Sequence, residues 1–434
     1  MNWRAAAAAG VVLASISAPA GAAEPVERYT VQRGDTLYDL AERYFVKISD
    51  YRAVQRLNRI GDPRRLQVGT QLQVPARLLR TTPIQARVAG FKGAVSVTTA
   101  GRTGPAVIGA VLPEGAVIST GPNAFLRLDL PDGSRLSIPS QSRVRLGRLR
   151  TVEMTGVVQR ELEVQGGRLE SEVSPLRNPR DSYTVRTPMS VSAVRGTDFR
   201  VAYDDRAGRA NTEVIEGKVS VTGGAAATDV GAAYGTITTG EGVIGPLSLA
   251  PAPSLANPGK VQDEQIASFQ VTGPSASAGY HVRIATDAGF VEVVEETSSA
   301  TPTLTFETLP DGVYFIRLAA LDDNGLLGLP ATYAFERRLN TLRADAPVAS
   351  RDGGVRRYKF RWQVGGEGER AYRLQLFRDG DEAPVVDEGG LAAQELTVTD
   401  LPPGVYNWRV MSRTFARGSY VEKWSPLERF EIGR

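Results

Sequence analysis

One histidine, no cysteine and a few adjacent acidic pairs are what the 434-residue chain offers for catalysis. His281 would need a nucleophile beside it to serve as a general base, and no nucleophile motif is present. A single imidazole without thiolates does not make a zinc site, so neither metal nor other cofactor is expected. Glu295-Glu296 and Asp322-Asp323 supply carboxylates. Glycoside cleavage needs two carboxyl groups facing each other across a cleft, and adjacent residues read more readily as solvated loops. No glycine-rich phosphate loop sits between a strand and a helix. The chain is therefore expected to act by binding and not to be an enzyme.

Charge narrows what it binds. There are 51 basic and 48 acidic residues, a net +3, so the pI near 9.0 reflects a narrow excess. The arginines are scattered, densest at Arg143, Arg145, Arg148 and Arg150. A nucleic-acid surface would show a tighter basic stripe with aromatics interleaved, so nucleic acid is not expected as a partner.

Residues 1–23 have the form of an export signal. Arg4 gives a short positive start, Ala5 to Ile16 an apolar stretch, and Ala20-Gly21-Ala22 or Gly21-Ala22-Ala23 a small-residue cleavage pattern. The apolar run is shorter than the ~20 residues of a membrane span. No cysteine follows for a lipid anchor, and nothing later is apolar enough to span. The expected location is the periplasm or cell envelope, with no membrane span after cleavage.

Residues 28–76 follow the order strand, helix, helix, strand. Tyr29-Thr30-Val31 alternates as a strand and Gly34-Asp35-Thr36 breaks it. Asp35 or Thr36 can cap the next helix, in which Leu37, Leu40, Ala41 and Tyr44 share one face. A second helix is expected from about Ser49 to Leu57, with Ser49 or Asp50 as its cap. Asn58, Gly61, Asp62 and Pro63 form a loop, and Gln71-Leu72-Gln73-Val74-Pro75 closes the module.

This module resembles the LysM family. The resemblance is carried by Tyr29-Thr30-Val31, Gly34-Asp35-Thr36-Leu37, Leu57-Asn58, Val68-Gly69 and Leu72-Gln73-Val74-Pro75. It implies binding of N-acetylglucosamine chains, as in peptidoglycan, in a shallow groove between two loops. Carried onto this sequence, the groove would be lined by Gly34, Asp35, Thr36, Leu37, Asn58, Ile60, Gly61, Asp62 and Pro63. Backbone groups around Gly34 and Asn58 would bond acetamido groups, and Ile60 would cover an apolar sugar face. Gly34-Asp35-Thr36 is also accounted for by capping alone. Where the family's loop is rich in asparagine, this one carries Arg59, Arg64 and Arg65. They suit either an anionic polymer or plain solvation, and solvation is the simpler reading.

From about residue 84 to 245, short alternating strands and turns follow one another. Leu126, Leu128 and Leu130 point one way and Arg127 and Asp129 the other, before the turn Pro131-Asp132-Gly133. Such spacing predicts a sandwich, barrel or solenoid. The region resembles the FecR domain, through Leu128-Asp129-Leu130-Pro131-Asp132-Gly133-Ser134, Gly166-Gly167-Arg168-Leu169 and Val185-Arg186-Thr187-Pro188. The run Ala193 to Val201 and the segment Val214 to Val219 carry it further. FecR regulators work on sigma factors through a membrane helix and a cytoplasmic tail, and neither is visible here. Arg195-Gly196-Thr197-Asp198 is the tempting recognition motif, yet turn chemistry explains all four residues.

Residues 246–261 are proline-rich and read as a semi-rigid linker. Beyond it, 262–340 and 355–434 are related copies. Tyr280, Leu309, Gly312, Val313, Tyr314 and Arg317 recur 92 positions on as Tyr372, Leu401, Gly404, Val405, Tyr406 and Arg409. The shared Leu-Pro-Xaa-Gly-Val-Tyr is a turn feeding a strand. It resembles fibronectin type III or immunoglobulin-like sandwiches, with Phe360 and Trp362 expected in the last core and an exposed tryptophan on a sugar-binding face as the alternative. The expected whole is mainly β and multidomain: a small βααβ LysM module, an all-β FecR-like domain and two β-sandwich modules. Its expected role is non-catalytic: the LysM module holds peptidoglycan, and the other modules face an envelope protein partner. The alternative is a periplasmic signalling or sensory component related to FecR regulators.

Overall fold

In the computed structural model residues 25–273, 278–416 and 418–433 are described; the expected export segment 1–23 lies outside them. The described residues form two compact units, one of residues 25–83 with Arg150–Gln159, the other of Ile84–Leu149 with the described residues from Arg160 onward.

The first unit is built on β1 (Val26–Thr30), α1 (Leu37–Tyr44), α2 (Tyr51–Leu57) and β2 (Gln71–Pro75). The two strands pair antiparallel, Tyr29 opposite Leu72. Leu37, Leu40, Ala41, Val54, Leu72 and Val74 are buried between them and the helices. Val152 and Met154, from the 150–159 segment, complete this core. A module read from the sequence as 28–76 thus draws part of its interior from some 75 residues downstream, which no local periodicity records. Of the two candidate caps of α1, Thr36 is the one used: its Oγ1 accepts the Asp39 N–H at 3.1 Å. The second helix differs from expectation. Ile48–Asp50 is a 3₁₀ turn, and Asp50, already in a helical backbone conformation, makes no side-chain cap. A capping side chain reaches the first turn from an extended backbone, which Asp50 lacks.

In the second unit, antiparallel strands from Ala86–Lys92 to Gly242–Ser248 belong to a closed barrel. Its alternating interior includes Leu126, Leu128, Leu146, Leu162, Val201 and Val221. Two sandwiches follow. The first sets a three-stranded sheet (Ser254–Leu255, Ala267–Thr272, Thr303–Phe306) against four strands (Val293–Ser299, Gly279–Ala285, Gly312–Leu321, Ala331–Arg337). The segment expected as a linker, 246–261, therefore carries strand residues at its start, up to Ser248, and again at Ser254–Leu255. The second sandwich begins earlier than 355, because Thr341–Asp352 pairs along Val355–Gly365. Most of that strand is exposed or half-exposed, so it lacks the apolar alternation that reveals a strand in sequence. Trp362 and Phe360 are buried, as expected, beside Trp408.

The repeated Leu-Pro-Xaa-Gly-Val-Tyr motif has a structural purpose beyond its turn. Tyr314 Oη donates to the Pro310 carbonyl and Tyr406 Oη to the Pro402 carbonyl, both at 2.9 Å. Each tyrosine buries its ring and ties the strand start back to the turn four residues upstream, the tyrosine corner of such sandwiches.

Barrel and first sandwich are joined by buried charge. Arg200 Nη2 donates to the carbonyls of Leu327 (2.8 Å) and Gly328 (2.7 Å). Glu213 Oε1 accepts the Leu327 N–H at 2.8 Å, and Arg200 and Glu213 pair at 2.9 Å with 6% and 1% of their side chains exposed. Arg283 makes a two-pronged bond to Glu170 at 2.8 and 3.2 Å. Phe125 of the barrel packs with Ala285, Phe290 and Val293.

Candidate functional site

The loop after β1 and the loop after α2 are brought together by the backbone. The Leu37 N–H donates to the Pro63 carbonyl at 2.9 Å, just where α1 begins. Helix capping and loop joining therefore occur within two residues.

The expected residues divide by what they do. Leu37 is fully buried in the core and offers no side chain to a ligand. Asp35 is buried too. Its Oδ2 accepts the Tyr29 hydroxyl (2.8 Å) and the Gln32 N–H (2.7 Å), and its Oδ1 accepts Arg43 at 3.0 Å. Burial alone would raise its pKa, but these three donors outweigh it and hold the carboxyl below the usual range. Burial and the bond to Asp35 push the Tyr29 hydroxyl up to about 12. Asn58 spends its amide inward. Nδ2 donates to Val54 O (2.8 Å) and Gln73 O (2.7 Å), while Oδ1 accepts the Gln73 N–H at 2.7 Å. It locks the end of α2 onto β2. Gly34, Gly61 and Asp62 are exposed, and Thr36, Ile60 and Pro63 half-buried. These six form the accessible surface of the joined loops. Gly34 has φ +92°, a conformation glycine adopts without strain. Gly61 has open space where a side chain would stand. Arg59, Arg64 and Arg65 are exposed around them.

The sequence did not single out Tyr38, which is 52% exposed on α1 and meets Tyr51 edge-on at 6.4 Å. An exposed aromatic one residue after a buried leucine was the available signal.

Arg195-Gly196-Thr197-Asp198 is a structural corner. A Cβ on Gly196 (φ +121°) would lie 2.9 Å from the Pro175 backbone. Thr197 Oγ1 donates to Lys218 O at 3.0 Å, and Arg195 bonds the Pro179 carbonyl. Burial, with Glu172 and Glu170 nearby, raises the Asp198 carboxyl to about 6.

Glu295-Glu296 is not a loop but part of the strand Val293–Ser299. Glu296 Oε1 lies 2.9 Å from His281 Nε2, and its Oε2 accepts the Ser140 N–H at 3.1 Å. Burial opposes ionisation of Glu296, yet His281, Arg283 and Ser140 bring it down to about 2. Burial lowers the His281 pKa. The ionised Glu296 carboxylate can only accept, so His281 Nε2 is the donor. Asp322, by contrast, does lie in a loop, where Oδ1 accepts the Asn324 and Leu326 N–H groups.

Family models match two parts of the chain: LysM domain over residues 29–75 and FecR protein over residues 116–220. The chain carries a LysM domain and a FecR domain. Both are binding or regulatory domains. Solved structures similar to it include a candidate anti-sigma factor from Parabacteroides distasonis, 20% identical, with 29% of this chain and 55% of that one covered and a TM-score of 0.24. The chain thus spans about half the length of that neighbour. Fibronectin(III)-like modules of Clostridium thermocellum CbhA are 13% identical, with 41% and 90% covered and a TM-score of 0.20. Chicken CNTN1 FN1–FN3 domains are 13% identical, with 63% and 99% covered and a TM-score of 0.21. No curated protein matches the chain. No helix among the described residues is long and apolar enough to cross a membrane.

Proposed function

We propose that the protein is a non-catalytic component of the cell envelope, exported by its first 23 residues. The LysM domain holds the N-acetylglucosamine glycan of peptidoglycan, and the FecR-like barrel and sandwiches face an envelope protein partner. The observation that carries this reading is the Leu37–Pro63 backbone bond, which makes one surface of the two loops. On that surface Gly34, Thr36, Ile60, Gly61, Asp62 and Pro63 contact the sugar. Asp35, Leu37 and Asn58 hold the loops in shape from behind. A single shallow surface binds weakly, so firm attachment requires several contacts along the polymer.

Retention on purified peptidoglycan sacculi tests this. Deleting the module would strip Val152 and Met154 of their core, so a surface change is the better probe. Gly61→Glu places a side chain into open space beside Ile60. Wild type should be retained and Gly61→Glu released, with unchanged circular dichroism. No retention of wild type would overturn wall binding and favour the signalling role that the FecR match suggests.

A further inference from the structure

A second site of different character lies within the other unit, where the barrel meets the first sandwich. A cleft of about 620 Å³ opens there, within the ~300–1,000 Å³ usual for small-ligand sites. Its walls carry Arg168, Arg206 and Arg209 together with Asp204, Asp205 and Asn211.

The wall is fixed before any ligand arrives. His281 and Glu296 line it and satisfy each other, and Glu296 also binds the Ser140 backbone across the joint. Asn211 Nδ2 donates to Gly325 O at 2.8 Å, pinning the sandwich loop to the barrel strand. Gln141, at the edge, is held at φ +53° against Gly167, whose missing side chain admits the Gln141 carbonyl. A non-glycine residue in this conformation is strain that the surroundings must sustain, a feature common at binding sites.

The polar groups on that wall are left over. None of the three guanidinium groups makes an ion pair among the described residues. Asp204 Oδ1 accepts the Arg206 and Ala207 N–H groups. Asn211 is buried in the joint and serves to hold the wall. Three guanidinium groups and two carboxylates on one wall call for a ligand that carries carboxylates and an ammonium group.

We infer that this cleft is a binding site for a short zwitterionic peptide with more carboxylates than ammonium groups. Arg168, Arg206 and Arg209 take the carboxylates, and Asp204 and Asp205 the ammonium. Its assignment to the stem peptide of peptidoglycan rests on the wall-binding reading above; the site itself does not. LysM would then hold the glycan and this cleft the peptide of the same polymer, giving the second contact that a weak single module needs.

The test is calorimetric titration of the full chain with the free tetrapeptide L-Ala-γ-D-Glu-meso-diaminopimelyl-D-Ala. Binding should weaken at least tenfold in Arg206→Gln/Arg209→Gln, and weaken with added salt. It should persist in Gly61→Glu, which loses glycan retention. Absence of binding by wild type, or equal binding by the arginine variant, overturns the site. Equal binding of the all-L peptide Ala-Glu-Lys-Ala overturns the wall assignment. Peptide binding without any sacculus retention would sink both the LysM reading and the wall assignment, leaving the cleft as a site for another peptide.

Discussion

Arg200 of the barrel donates to the carbonyl of Leu327 in the first sandwich at 2.8 Å, across 127 positions of sequence. Arg200 lies within the run that most resembles FecR, and Glu213, close to the second such segment, takes the N–H of the same leucine. Residues of a domain signature thus form the socket for the neighbouring domain.

Breaking that socket on one side should be costly. Arg200→Met leaves Glu213, 1% exposed, as an unpaired buried charge, at a cost of about 3–5 kcal/mol. Arg200→Met/Glu213→Gln should recover part of this loss, since the uncompensated charge is gone. Urea midpoints of the two variants, with proteolysis of the 322–328 loop, measure the difference.

Asp198 gives the joint a pH dependence. Its carboxyl ordinarily titrates near 3.8 and here near 6, because burial and Glu172 and Glu170 disfavour its charge. The folded chain holds that proton more tightly than the unfolded chain. Its stabilising contribution is present below pH 3.8 and is lost as pH rises through 6. Asp198→Asn should therefore raise the urea midpoint at pH 7.5, and the gain should shrink towards nothing by pH 4. A gain of equal size at both pH values would contradict the raised pKa.

The two tyrosine corners should act alike and separately. Tyr314→Phe and Tyr406→Phe each remove one hydrogen bond and no ring packing, costing about 1 kcal/mol apiece. Their distance in sequence and separate cores predict additive losses in the double variant, measurable by denaturant titration.

Asn58 should prove structural. Asn58→Ala removes the two amide bonds that hold α2 to β2 and a third that closes the end of α2, a loss of about 1–3 kcal/mol. Hydrogen exchange at the Gln73 amide should quicken most, because that N–H loses its acceptor. Unchanged exchange with lost sacculus retention would instead make Asn58 a direct ligand.

Much of this molecule was legible in sequence. The 3.6-residue spacing of Leu37, Leu40 and Ala41 and the strand alternation of Leu126, Leu128 and Leu130 follow from one apolar face meeting one core. The Leu-Pro-Xaa-Gly-Val-Tyr repeat announced two related sandwiches, because its turn and strand are local. Its tyrosine corner was hidden, since the hydroxyl's partner is a backbone carbonyl, which carries no letter.

Other properties were decided by tertiary structure. Leu37, Asp35 and Asn58 share motifs with Gly34 and Gly61, yet burial of the first two and the inward hydrogen bonds of Asn58 take them from the surface, while the glycines stay exposed. Val152 and Met154 entered a core whose other members end near residue 79. Glu296 became a pair for His281, and Arg168, Arg206 and Arg209 came to share a wall with Asp204 and Asp205. Sequence spacing governs what a residue does within its own turn or strand; which charges meet depends on strands that pair only in the fold, 15 positions apart for His281 and Glu296 and 113 for Arg283 and Glu170.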